Sequence, residues 1–436
     1  MDGLSVGSHT LEFRPRKRPQ DLEDRTIRID ADSPAASTLL IFQAVFPYLL
    51  FACNGNTINN HRKGNEAPVI DLEISGGTNV SFSLSYEYLD QVLLPTLEDA
   101  FGIKVERELK SRGWSQGRAS RGTVAFKIQP LKPGETLKLL DDSTSPFSSF
   151  NSRPSLSSSS SGDGEAGEDN SDLFDIEAID VSMIVPADMH EPLTQALVQD
   201  LSDLFPEVED VNFKLIEDSG APSRVYVLLV ARSYGGLRWG RDILTSVPSS
   251  TKKVSEKAEK NGGGSGGKRG AGGRKSGGSS PPSSSSPAHH VASVSSRVSK
   301  DLYEEVSAGG VVDEFLQDQL VIFQALAEGR SSFPRSNDPE DKVFGVASLA
   351  AEDKENGTAS LEKGMAKLSV EEDGEKGPQL LKDKTDKPFG DGSMHAMTAR
   401  WVTAELLPGV SWYGKGKVCE GVGVHMDAAH RGSSSS

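Results

Sequence analysis

Three blocks of low complexity interrupt this chain, and they decide what the remainder can fold into. Residues 141–172 hold 12 serines, half of residues 261–280 are glycine inside the block 247–300, and residues 331–390 set 13 acidic against nine basic residues. Such stretches bury too little apolar surface to offset the entropy of ordering them, so long disordered insertions are expected there. About two thirds of the 436 residues remain for a core, which suffices for one large or two ordinary domains.

Several classes drop out on composition. The longest apolar run, Leu39 to Cys53, is broken by Gln43 and Pro47 and falls short of the roughly 18 to 20 apolar residues of a bilayer span. It reads as a buried helix, and no membrane association is expected. The N-terminal MDGLSVGSHTLEF has no basic and then apolar region of a secretory signal, so the cytosol or nucleus is the default address. Two cysteines, Cys53 and Cys419, suit a reducing compartment and are too few for a disulfide framework or a Cys-based zinc site.

A net charge of −16 argues against nucleic-acid binding by overall charge. Local basic surfaces remain. RPRKRP, residues 14–19, reads as an exposed basic loop, with a phosphate contact or a nuclear signal as the alternatives. Residues 252–275 carry eight Lys/Arg against two Glu, and their Gly-rich part reads as a flexible linker sooner than an RNA-binding arm. His289 and His290 have no further ligands nearby and read as loop.

Periodicity places the elements. Thr10 to Phe13 and Thr26 to Asp30 alternate as short strands, and Ser33-Pro34 predicts the start of an apolar helix over Ala35 to Phe51. VIDLEISGG, residues 69–77, is a half-buried strand ending in a glycine pair. Tyr86 to Phe101 has helical spacing, and KVERELK pairs with Thr123 to Leu131 around a turn. After the Ser-rich block the order begins again: strand 176–185, helix 191–205, strands 211–216 and 225–231. Helices follow at 291–307, 312–327 and 396–406, with a closing strand at 417–425. The expectation is an α+β fold of repeated βαβαββ units.

Four segments, in order, resemble the RNA 3′-terminal phosphate cyclase family: IDADSPAASTLLIFQAVFP; ISGGTN with YLDQVLLPTLEDAFG; SAGGVVDEFLQDQLVIFQALAEG, residues 307–329; and MHAMTARWVTAELLP, residues 394–408. The resemblance implies the family fold with a small inserted α/β domain. It divides the chain into core 1–140, a Ser-rich disordered insertion 141–172, the inserted domain with its return to the core at 173–246, and a Gly/Ser/Lys-rich linker 247–300. Core 301–330, an acidic disordered insertion 331–390, a closing helix and strand at 391–426, and a disordered tail 427–436 complete it. The family's N-terminal repeat, with a Gly-rich turn and basic residues for the ATP and RNA phosphates, would precede this resemblance, so a chain beginning at Met1 is expected to lack it. PAAS at 34–37, WSQGRASRG and Phe315 stand where the family has a Gly-containing turn, a run of glycines and a tyrosine.

The implied reaction is ATP-dependent conversion of an RNA 3′-phosphate to a 2′,3′-cyclic phosphate through an adenylylated enzyme. By position, His395 takes AMP, and Gln43, Phe315 and Asp318 contact the nucleotide. ATP and a divalent cation such as Mg²⁺ are the implied cofactors. RNA 3′ ends and RNA-processing proteins are the implied partners, with a nuclear or nucleolar address and the cytosol as the alternative. A neutral imidazole can attack the α-phosphorus of ATP because its ordinary pKa lies near 6.5. Each residue also has a plainer reading: His395 as a helix cap, Gln43 satisfying buried backbone, Asp318 in an ion pair. A cyclase-like RNA-binding or ribosomal-RNA-processing factor with impaired catalysis is the second functional reading.

Overall fold

The computed structural model describes residues 8–10, 12–53, 68–140, 145–147, 173–246, 287–335 and 381–427. The Ser-rich block, the KRG and GRK tracts and most of the acidic block lie outside the described residues. Among the described residues no strand forms at Thr10–Phe13, where Glu12 makes a lone bridge, and a short 3-10 turn follows at Pro19–Asp21.

The first sheet begins with β1 (Thr26–Asp30), parallel to β2 (Ile70–Gly76), with α1 (Thr38–Leu50) in the crossover that a parallel pair requires. The cap of α1 is Ser37, whose Oγ accepts the Leu39 and Leu40 N–H groups at 3.1 Å each. It is not Ser33. Pro34 to Ala36 form a turn that meets the end of β2, where the Gly77 N–H donates to the Ala36 carbonyl at 2.7 Å. A Cβ on Gly76 would stand 2.6 Å from that same carbonyl oxygen. The glycine pair of ISGGTN therefore serves a close crossing of backbones.

The expected helix over 86–101 is three pieces: α2 (Tyr86–Tyr88), a π-turn (Leu89–Leu93) and α3 (Leu94–Phe101). Pro95 has no N–H for the Gln91 carbonyl, and the ladder widens there, with the Leu94 N–H reaching back to Leu89 O. Arg107 collects the Asp90 carbonyl at 2.7 Å and the Asp90 carboxylate at 2.5 Å. β3 (Val105–Ser111) and β4 (Gly122–Ile128) complete the sheet in the order β1-β2-β4-β3. Its inner face, including Leu72, Ile74, Val124 and Phe126, packs on α1, where Phe42 stacks on Phe126 at 4.3 Å.

The second sheet, order β6-β5-β7-β8, is built from β5 (Ile176–Val185), α4 (His190–Leu204), β6 (Asp210–Asp218), β7 (Val225–Ser233) and β8 (Arg238–Thr245). β8 is not anticipated by the sequence pattern. β7, VYVLLVARS, is buried along almost its whole length. α4 and α5 (Pro287–Ser307) pack together, with α5 against β7 and β8, while the π-turn side of the first unit meets β8. One continuous apolar cluster runs through both sheets. α5 starts inside the expected linker, so His289 and His290 lie in its first turns and not in a loop.

α6 (Glu314–Leu326), β9 (Glu328–Ser332), α7 (Met394–Leu406), β10 (Ser411–Tyr413) and β11 (Val418–Val422) close the described chain, with the small sheet ordered β10-β11-β9. α6 packs against α7. The architecture is mixed α+β: the first unit runs strand-helix-strand-helix-strand-strand, and the second runs strand-helix-strand-strand-strand. No helix among the described residues is long and apolar enough to cross a membrane.

Candidate functional site

Three of the four residues singled out in the sequence are joined by one chain of polar contacts where α1, α6 and α7 meet. The Gln43 amide donates from Nε2 to Gln319 Oε1 at 2.5 Å. Gln319 Nε2 donates to Asp318 Oδ1 at 2.6 Å. Asp318 Oδ2 in turn faces His395 Nδ1 at 3.7 Å. That last separation exceeds a hydrogen bond, and the imidazole is 88% exposed. The sequence motifs do not single out Gln319, although it is the neighbour of Asp318 within DEFLQDQ.

Local structure explains the placement. His395 is the second residue of α7, whose cap Ser393 accepts the Ala396 N–H at 3.1 Å. The preceding loop is fastened by Arg400, which is buried and donates from Nη1 to the Asp391 carbonyl at 2.6 Å while its guanidinium sits 5.9 Å from the Trp412 ring centre. Burial pushes the Arg400 guanidinium down to about 10. Gln43 interrupts an otherwise apolar helix, and Pro47 can offer no N–H to its carbonyl.

Phe315 shares a face of α6 with Asp318 by their i, i+3 spacing. Its ring is backed by the Arg241 guanidinium at 4.7 Å and approached edge-on by Tyr88 at 5.9 Å. Arg241 is buried and paired with Glu305, and reaches Glu314 at 3.3 Å. Arg335 bonds Glu305 at 3.0 and 3.1 Å, so two guanidinium and two carboxylate groups balance beneath the ring. Nothing in the sequence pattern announces Arg241, because its partner Glu305 lies 64 residues away.

Asp318 is only 17% exposed. Burial first, then Asp313 and Glu314, push its carboxyl up to about 6, against the opposing pull of Gln319 and His395. With the folded pKa raised from 3.8, the contribution of Asp318 to stability is fullest below about 3.8 and is lost as pH rises through about 6. Asp318→Asn is therefore expected to stabilise the fold by about 2 kcal/mol at pH 7.5, a gain that shrinks as pH falls towards 4. Urea unfolding at several pH values checks this.

The arrangement can hold an imidazole with Nδ1 turned to a carboxylate and Nε2 free towards solvent, beside an aromatic ring and an amide. Among the described residues no group of three or more His, Cys, Asp or Glu is placed to hold a metal ion.

Comparison with known proteins bears on this site. Residues 1–339 match the family model described as RNA 3′-terminal phosphate cyclase. The chain is 35% identical over 139 residues to an RNA 3′-terminal phosphate cyclase of Thermococcus kodakarensis, covering 32% of this chain and 33% of that protein. It is 33% identical over 133 residues to one of Drosophila melanogaster, covering 30% and 31%. A probable RNA 3′-terminal phosphate cyclase of Dictyostelium discoideum is 23% identical over 336 residues, 76% of this chain and 57% of that protein. The chain thus spans about a third of the length of the first two and rather more than half of the third. The family match ends before α7, and what ties His395 to the matched part is its approach to Asp318.

Proposed function

The chain belongs to the RNA 3′-terminal phosphate cyclase family, and on that ground we propose that it uses ATP to convert an RNA 3′-phosphate into a 2′,3′-cyclic phosphate, carrying AMP on His395. The observation that supports this reading best is the approach of His395 Nδ1 to Asp318 Oδ2 at 3.7 Å, continued through Gln319 to Gln43.

Asp318 turns one imidazole nitrogen towards itself and leaves Nε2 as the nucleophile. Nε2 attacks the α-phosphorus of ATP, the bond to the bridging oxygen breaks, and pyrophosphate leaves. Asp318 steadies the imidazolium character that develops. An oxygen of the RNA 3′-phosphate then attacks the phosphorus of the His-bound AMP and releases the imidazole. The neighbouring 2′-hydroxyl next attacks the 3′-phosphorus, loses its proton, and expels AMP as the ring closes; proximity supplies most of that last step. Phe315, braced by Arg241, offers a ring face to the nucleotide base, and Gln43 an amide to its polar edge. A divalent cation such as Mg²⁺ is proposed to arrive on the phosphates of ATP, where it would neutralise their charge.

The test is incubation of the chain with ATP and an oligoribonucleotide bearing a 3′-phosphate. The expected product resists phosphatase until the ring is opened by acid. RNA that binds and remains fully phosphatase-sensitive would instead favour an RNA-binding role without catalysis.

A further inference from the structure

The basic run preceding β1 takes no part in the site. Arg14, Arg16, Lys17 and Arg18 fall within five residues, and no other five-residue window of the described chain holds four Lys/Arg. Residues 12–18 are all exposed, including Phe13. Arg14 pairs with Glu12, and Arg18 lies 3.7 Å from Asp21, both at the surface, where such pairs are weak and exchange readily for another anion. Arg16 and Lys17 make no ion pair with any described residue.

This run is fastened to the helix that carries Gln43. The Tyr48 O–H donates to the Arg18 carbonyl at 3.1 Å, Leu22 packs against the main core, and Arg25 donates to the Ala52 carbonyl at 2.8 Å. Leu40, Gln43, Ala44, Pro47 and Tyr48 lie on the part of α1 that is not buried. Tyr48 is five residues, roughly 7.5 Å along the axis, from Gln43. A polyanion is repelled by the chain as a whole, at −16, so a cationic run fastened to the helix that carries Gln43 is where such a ligand would be held.

We propose that Phe13 to Arg18 form a binding surface for single-stranded RNA, gripping the backbone phosphates of a strand whose 3′ end lies at Gln43 and His395. The inference rests on the function proposed above. The grip is by charge, with Phe13 available to stack on a base, and so is indifferent to sequence.

The test measures binding of the full chain to a fluorescent single-stranded RNA with a 3′-phosphate across 50 to 200 mM salt, for the wild type and the triple variant Arg16→Gln, Lys17→Gln, Arg18→Gln. Three lost phosphate contacts should flatten the log–log salt slope by about 2 and weaken binding at 0.1 M salt tenfold or more. An unchanged slope and affinity would overturn the proposal. So would a variant that loses only nuclear accumulation in cells, which would make the run an import signal. Retention of label from α-labelled ATP by the wild type is read in parallel. Its absence, with the slope still flattened by the variant, would overturn the reading of His395 and leave the surface standing.

Discussion

Asp313→Ala is expected to destabilise the fold by about 4 kcal/mol or more, a large share of the stability of an ordinary domain. The carboxylate is wholly buried. Its Oδ1 accepts the Tyr88 O–H at 2.6 Å and the Leu316 N–H at 2.8 Å, and its Oδ2 accepts the Gly240 N–H at 2.7 Å. One side chain thereby joins the first unit, β8 and the first turn of α6. Burial pushes the Asp313 carboxyl up, while these donors and Arg241 pull it back. Alanine leaves the donors facing a cavity at roughly 1 to 3 kcal/mol each, and removes a helix cap worth about 1 kcal/mol. Tyr88→Phe takes away a single donor and should cost about 1 kcal/mol, because the other two still hold the carboxylate. Urea unfolding of the two variants beside the wild type measures both. Equal stabilities for Asp313→Ala and Tyr88→Phe would show that the carboxylate is no junction. The consequence reaches the site, since Phe315 and Asp318 lie on the helix that Asp313 starts.

How far the fold is legible in the sequence depends on how each strand is stabilised. β2 and β4 alternate apolar and polar residues because one face is core and the other solvent, and periodicity finds them. β8 escapes because the face it buries reads Trp239, Arg241, Ile243: the buried arginine, neutralised by Glu305 from α5, breaks the apolar alternation. β9, EGRSS, has almost no apolar residue and exists through its pairing with β11, register Ser332 to Val418. The start of α1 slipped from Ser33 to Ser37 because a tertiary contact with Gly77 claims the intervening turn. At the site, Gln43, Asp318 and His395 stood out through motif resemblance and are brought together in space. Gln319 carries no motif of its own beside Asp318, and Arg241 and Tyr88 act through contacts that only the folded chain creates.

On the proposed reaction, His395→Ala is expected to reduce AMP transfer on the order of 10³-fold or more, the largest functional effect of any single substitution, because the proposal assigns the covalent step to this imidazole alone. His395 is highly exposed and its side chain supports no core contact, so the variant should unfold at the same urea concentration as the wild type. Activity and stability then separate cleanly. The opposite pairing holds for Asp313, where stability falls first.

The most direct measurement is covalent labelling. The folded chain is incubated with α-labelled ATP, quenched, and the label located by peptide mapping. The expected label is lost in acid and kept in alkali, as a phosphoramidate is, and lies on the peptide containing His395. The label should be absent from His395→Ala and released as AMP and capped or cyclised RNA when an RNA 3′-phosphate is supplied. Label that persists in His395→Ala, label on another residue, or a folded chain that takes no label at all would contradict it.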